Sequence, residues 1–126
     1  MKTLSAKRVK VKIGPHWETP YLHILLTRED DLVVARCLNF TVSSHGENEE
    51  EAIESLADAI REYILSAVEN DSIEAINDPA HGKYWRMFNE EISRDTAKKL
   101  TKSLQKSRRE LEREHLRGSR LEISYA

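Results

Sequence analysis

The stretch Cys37–Ala52, CLNFTVSSHGENEEEA, changes from a strand pattern to a helix pattern within a few residues. It opens with apolar residues typical of a strand, passes a single glycine, Gly46, and then enters a run of three glutamates. Asn48 suits a helix N-cap, because its side chain can accept from the backbone N–H of Glu51 while Glu51 reaches back to Asn48. We expect Gly46 to supply the bend between the two elements.

Downstream of this joint, apolar residues recur at three- and four-residue spacing. This spacing predicts an amphipathic helix over Ala52–Val68, of about five turns at 3.6 residues per turn. Charged residues fill the opposite side of the predicted helix: Glu50, Glu54, Asp58, Arg61 and Glu62.

Upstream of the joint, four stretches predict strands. In Lys7–Ile13, Val9, Val11 and Ile13 alternate with basic residues, and Gly14 and Pro15 end the pattern. Tyr21–Thr27 is more uniformly apolar and is expected to be central. After the polar turn 28–31, Leu32–Leu38 should pair with it as an antiparallel hairpin, and Phe40–Ser43 should form a fourth strand. The expected fold is α+β, with an antiparallel meander packed on one long helix.

The chain beyond residue 70 is predicted to be a helical extension, so that the domains divide as 1–70 and 71–126. The run Tyr84–Ile92 predicts a short apolar helix, and Arg94–Leu116 predicts a second, strongly basic one ended by Gly118. Leu121–Ala126 has the composition of a final strand. One helix covers only one face of a sheet, so the other face needs the C-terminal helices, a second copy or a partner.

Composition limits the class of protein. The chain has 126 residues, 39% of them hydrophobic and 33% charged, which suits one compact domain. No apolar run approaches the roughly 18 residues that cross a bilayer, and the N-terminal segment lacks the apolar stretch of a secretory signal. The single cysteine, Cys37, is expected to be a small buried apolar residue. We therefore expect a cytoplasmic protein without membrane contact.

Little in the sequence points to catalysis. The five histidines show no ligand spacing, and there is no paired cysteine and no glycine-rich phosphate loop. His45 has no nucleophile or acid partner near it in sequence, and His23 lies within an apolar strand. We predict that the chain is not an enzyme and uses no cofactor or metal.

The charges are segregated along the chain. Ser44–Glu91 carries 13 acidic and 3 basic residues, a net of −10, and Arg94–Arg120 carries 10 basic and 4 acidic, a net of +6. Such asymmetry fits solvated helix faces, a partner-binding arm or surfaces that meet in an oligomer. Basic residues of the second segment are candidates for nucleic-acid binding: Lys98, Lys99, Lys102, Lys106, Arg108 and Arg109.

Taken together, Leu32–Leu65 resembles the HicB family of antitoxin-like proteins. The family pattern is a hairpin strand with an Ala-x-Cys, a short strand, a Gly-x-Thr-x-x-Glu-Ala type of joint and a helix with an aromatic near its end. The order and spacing of the matching residues carry the resemblance: Ala35, Cys37, Leu38, Gly46, Asn48, Glu51, Ala52, Ala59, Tyr63 and Leu65. Asn48 stands where the family usually has threonine, and both residues cap helices.

The resemblance implies a β-β-β-α-β fold that associates as homo-oligomers. It also implies a non-catalytic protein that binds a small ribonuclease toxin and covers its active site. Many family members carry a DNA-binding tail, but after Asn70 this sequence shows neither a helix-turn-helix nor a ribbon-helix-helix pattern. The alternative from a different class is a nucleic-acid-binding regulator that uses the basic segment.

Overall fold

The computed structural model describes residues 1–125 and shows an α+β fold. Six strands come first along the chain: β1 Lys2–Val9, β2 Lys12–Ile13, β3 Trp17–Glu18, β4 Leu22–Glu29, β5 Leu32–Cys37 and β6 Val42–Gly46. Three α-helices follow: α1 Glu49–Glu69, α2 Gly82–Lys106 and α3 Arg108–Leu111. Short 3₁₀ turns lie at Ile73–Ala75 and Glu114–Gly118.

Four of the strands form one antiparallel sheet in the order β1-β4-β5-β6. The predicted central position of β4 and the β4–β5 hairpin are confirmed. Asp30 turns the chain between these strands with φ of 56°, a left-handed conformation that aspartate tolerates better than most residues. The predicted fourth strand is also present, shifted to Val42–Gly46.

The N-terminal strand differs from the one predicted around Val9, Val11 and Ile13. The sheet strand β1 begins at Lys2 and ends at Val9, and the following residues form the separate β2–β3 hairpin. A register irregularity between Thr3 and Ser5 breaks the alternation within β1. Because both faces of the sheet are covered, β1 also buries residues on both sides, so a period of two is not visible in its sequence.

Helix α1 covers one face of the sheet, and its prediction over Ala52–Val68 as a single helix is confirmed. The helix lies over β5 and β6, and its buried residues join those of β4 and β5 in one hydrophobic cluster, which includes Leu22, Ile24, Leu26, Val33, Ala35, Cys37, Phe40, Ala52, Leu56, Ile60 and Ile64. The first half of the predicted cap is confirmed too, since the Asn48 side chain accepts from the Glu51 backbone N–H at 2.8 Å.

Glycine is required at position 46 for a reason other than the bend that the sequence predicted. It is the last residue of β6, it is buried, and it pairs with Val33. A Cβ atom placed there would lie 2.6 Å from the backbone N of Ala52 and 2.9 Å from the backbone C of Glu51. The glycine is therefore required because the first turn of α1 lies directly against the strand.

The other face of the sheet is covered by the first part of α2. Phe88 is buried with Ala6, Leu25 and Leu38, and the residues packed around them are Ala80, Tyr84, Trp85, Met87 and Ile92. The apolar run Tyr84–Ile92 thus covers the second face from within the same chain, one of the three arrangements that the sequence left open. It is the beginning of a single helix through Lys106 rather than a separate short one, because nothing between Ile92 and Arg94 breaks helical structure.

The chain forms two compact units. The first runs from Met1 to Ile92, past the predicted boundary at residue 70, because Phe88 and its neighbours belong to its core. The second begins at Ser93 and is helical, with a turn at Ser107 that interrupts the helix predicted over Arg94–Leu116. Residues 121–125 form no strand, and Ala126, the last residue of the predicted one, lies outside the described residues.

Candidate protein-binding surface

The outer face of α1 is strongly acidic. Glu50, Glu54, Asp58 and Glu62 follow one another at four-residue spacing and are all exposed. Arg61 is the single basic residue of the helix, and it contacts Asp58 and Glu62, each at 3.4 Å. Each pair of like charges at this spacing destabilises a helix by about 0.2–0.5 kcal/mol. Exposed ion pairs such as those of Arg61 offset little of this destabilisation. The face thus carries a net negative charge that lowers the stability of the helix itself.

A groove of about 600 Å³ lies beside this acidic face. Val42, at the start of β6, lines one side of the groove. The residues of α1 that line it are mainly small: Ala59, Glu62, Tyr63, Ser66 and Ala67. The Ser72–Ile76 segment closes one end. The groove is open to solvent, and both polar and apolar side chains line it, including the Glu62 carboxylate.

Tyr63 anchors the closed end of the groove. Its hydroxyl donates to the Ile76 carbonyl at 2.7 Å, and its ring lies 5.1 Å from that of Phe40. Desolvation, followed by the negative charges of Asp78 and Cys37, raises the pKa of the Tyr63 phenol. The folded state therefore favours the protonated phenol, the form that donates to the Ile76 carbonyl.

On the opposite face of the sheet, Arg36 is the centre of a closed polar network. Its guanidinium contacts the Glu29 carboxylate at 2.9 Å and donates to the Thr27 hydroxyl at 2.9 Å. Thr27 in turn donates to Glu29 at 3.0 Å, and the ring of Tyr84 lies 4.6 Å from the guanidinium carbon. Each polar group of the network has a hydrogen-bond or ion-pair partner within it, so we assign the network a structural role. The sequence did not reveal it, because its members come from three separate elements.

Cys37 is buried as predicted, and His23 and His45 both lie in strands, β4 and β6. His23 packs between Trp85 and Phe88, with ring centroids 5.2 and 5.3 Å away, and its Nδ1 lies 3.2 Å from the Asn39 side-chain oxygen. Cys37 is 1% exposed, and burial raises the pKa of its thiol. His45 is exposed on β6. Residues 1–125 contain no group of three or more histidine, cysteine, aspartate or glutamate side chains placed to hold a metal ion.

All six basic residues singled out for nucleic-acid binding are exposed in the second unit. Lys98, Lys99, Lys102 and Lys106 belong to α2 and share roughly 100° of its circumference at 3.6 residues per turn. Arg108 and Arg109 come after the turn at Ser107, and Arg108 pairs with Glu112 at 2.8 Å. The structure thus groups four of the six on one face, and their role stays a prediction.

The fold and this surface define an α+β protein with an antiparallel sheet covered on both faces and an acidic helix beside an open groove. No family model, no curated protein and no solved structure matches the chain. Within residues 1–125, none of the helices combines the length and apolar character needed to cross a bilayer.

Proposed function

We propose that this chain is a HicB-like antitoxin or regulatory protein of the cytoplasm that binds a small ribonuclease toxin and covers its active site without catalysis. The observation that carries the proposal is the acidic face of α1 beside the groove. A ribonuclease that binds RNA phosphates needs a basic active site, and an acidic surface complements such a site in charge.

The positions of the residues in the Leu32–Leu65 segment support the same proposal. Ala35 and Cys37 face the core beneath α1, and Gly46 permits the close approach of the helix. Asn48 caps the helix that presents the acidic residues. The pattern that resembles the family is thus the one that builds and orients the candidate surface.

Inhibition of this kind depends on steric occlusion, with a few buried contacts supplying most of the affinity. Glu54 and Asp58 lie at the middle of the acidic face, and Leu65 and Val68 add partly exposed apolar surface at its C-terminal end. We expect charge reversal in the middle of the face to slow association and weaken the complex.

The test begins with the gene next to the one that encodes this chain. Where that gene is short and encodes a basic domain, its product is co-expressed with the chain. Complex formation and inhibition of RNA cleavage are then measured. The Glu54→Lys/Asp58→Lys double variant should lose at least tenfold in affinity, whereas Glu112→Lys/Glu114→Lys in the second unit should not. Equal losses for the two double variants, or uninhibited cleavage with the unaltered chain, would refute the proposal.

A second candidate function is nucleic-acid binding through the basic segment. The observation that favours it is the shared face of Lys98, Lys99, Lys102 and Lys106 on α2. If these lysines neutralise four phosphates of duplex DNA, the logarithm of the association constant should fall with the logarithm of salt concentration at a slope of about −3.6. Lys98→Gln/Lys102→Gln should reduce that slope by about half. Binding that does not depend on salt would exclude this function.

A further inference from the structure

The two edges of the four-stranded sheet differ in how they are protected. Strand β1 carries Lys2, Lys7 and Arg8 and has a register irregularity, features that discourage pairing with another strand. Strand β6, VSSHG, has no lysine, arginine or proline, and its pairing with β5 has no irregularity. Within residues 1–125, β6 pairs only with β5, so its outer edge has no strand partner.

Helix α1 leaves room for one more strand at this edge. It packs over β5 and β6, at one side of the sheet, so its flank lies above the outer edge of β6. That flank contains the small residues Ser55, Ala59 and Ser66 beside Glu62, and the side chains of Ser55 and Ser44 are hydrogen-bonded where the helix meets the strand. The groove of about 600 Å³ continues from Val42 along Ala59 and Ser66. An added strand would find backbone partners on β6 and, beside Val42, the groove along α1.

Residues 121–125 have the properties of the missing strand. Leu121, Ile123 and Tyr125 alternate with Glu122 and Ser124, the period of a strand with one apolar face. The three apolar side chains are 86%, 74% and 89% exposed. The segment has five residues, and β6 has five as well.

We propose that residues 121–125 of a second copy of this chain add to β6 as an antiparallel strand. The register places Leu121 opposite Gly46, Ile123 opposite Ser44 and Tyr125 opposite Val42, so that all three apolar side chains lie on the α1 side. A slip by one residue would turn them to the other face of the sheet, away from α1.

Charge supports the choice of this occupant. In the antiparallel register Glu122 lies opposite His45, and Arg120 comes next to the start of α1 with Glu50 and Glu51. A second copy that used its own β6 edge would instead bring two acidic α1 helices to the same face of one sheet. Exchange of 121–125 between two copies closes a symmetric dimer.

Sedimentation velocity over a concentration series of the full chain tests the association. We expect the monomer mass of 14.6 kDa to double, with a dissociation constant on the order of 100 µM for two such short strands. Ile123→Lys should weaken the dimer at least tenfold, and Leu100→Lys, at another exposed leucine, should leave it unchanged. A chain that stays monomeric, or a dimer lost through Leu100→Lys alone, would overturn the proposal.

Cross-linking between two singly substituted chains tests the register. Ser43 lies opposite Ser124 in the proposed pairing, and both are exposed, whereas Cys37 is buried. A mixture of Ser43→Cys and Ser124→Cys chains, treated with a short thiol cross-linker, should give a mixed dimer in many-fold higher yield than Ser43→Cys with Ser103→Cys. Equal yields, or a predominant Ser43→Cys homodimer, would show that the segment does not pair with this edge.

Discussion

Gly46 lies beneath the first turn of α1, where a Cβ atom would come within 2.6 Å of the Ala52 backbone nitrogen. Gly46→Ala should therefore destabilise the fold by about 1–3 kcal/mol, because the helix must move away from β6. Urea unfolding followed by circular dichroism measures the loss.

Gly82→Ala is the matched control, because a Cβ at Gly82 meets nothing within 4 Å and the residue begins α2. Its effect should stay within about 1 kcal/mol and can be stabilising. If the two substitutions changed the free energy of unfolding equally, the close approach at Gly46 would not be the reason for its glycine.

Cys37 and Tyr63 give the fold a dependence on alkaline pH. The pKa of each is raised mainly by desolvation, so the folded state favours the protonated thiol and phenol. A raised folded-state pKa contributes stability that is present below the ordinary value and lost as pH rises through the folded one. The melting temperature should therefore fall above the ordinary thiol pKa of 9.0.

Cys37→Ala checks the assignment of this pH dependence. The variant should be less stable at neutral pH, because it leaves a small cavity, yet its melting temperature should fall less steeply in the alkaline range. A slope equal to that of the unaltered chain would remove Cys37 from the explanation.

At the scale of elements, α2 is attached to the sheet chiefly through Phe88. Its side chain is 1% exposed and packs on Ala6, Leu25 and Leu38. Phe88→Ala should cost about 3–5 kcal/mol of unfolding free energy. Leu100→Ala, in the same helix but 58% exposed, should cost less than about 0.5 kcal/mol. Comparable losses in urea unfolding would contradict the packing described for α2.

Some of the helices and strands could be predicted from the sequence, and others could not. Helix α1 was predictable because its signals are local: the Asn48 cap, the acidic first turn and the 3.6-residue period all lie within the helix and its cap. The β4–β5 hairpin was predictable for the same reason. Strand β1 was not, because its residues are buried on both faces and its register shifts between Thr3 and Ser5.

The candidate surface was predictable in part. The four-residue spacing of Glu50, Glu54 and Asp58 places them on one helix face from sequence alone. The groove beside them was not predictable, because Val42 and Ile76 come to it from distant parts of the chain. The close packing at Gly46 likewise depends on where the helix lies on the sheet.

At the scale of the whole molecule, the first compact unit contains the hydrophobic core of the described residues. Every buried apolar residue lies at or before Phe88. A chain truncated after Ile92 should therefore fold with a cooperative urea transition close to that of the full chain.

Truncation after Ala80 is the control for this prediction, because it removes Phe88 and uncovers one face of the sheet. That shorter chain should lose most of its stability and bind hydrophobic dyes. If truncation after Ile92 were equally damaging, residues beyond it would be needed for the core.

The connection between α1 and α2 is held at several points although it contains only one short 3₁₀ turn. The Tyr63 hydroxyl bonds the Ile76 carbonyl, and the Asp78 carbonyl accepts from the Thr41 hydroxyl at 2.9 Å. The Ala80 backbone N–H donates to the Leu38 carbonyl at 3.0 Å. Amide hydrogen exchange at Ala80 should accordingly be slow, and limited proteolysis should spare 76–80 although several of these residues are exposed. Because these hydrogen bonds hold the connection, α2 begins at a defined position. Its packing on the second face of the sheet therefore does not depend on a freely moving linker.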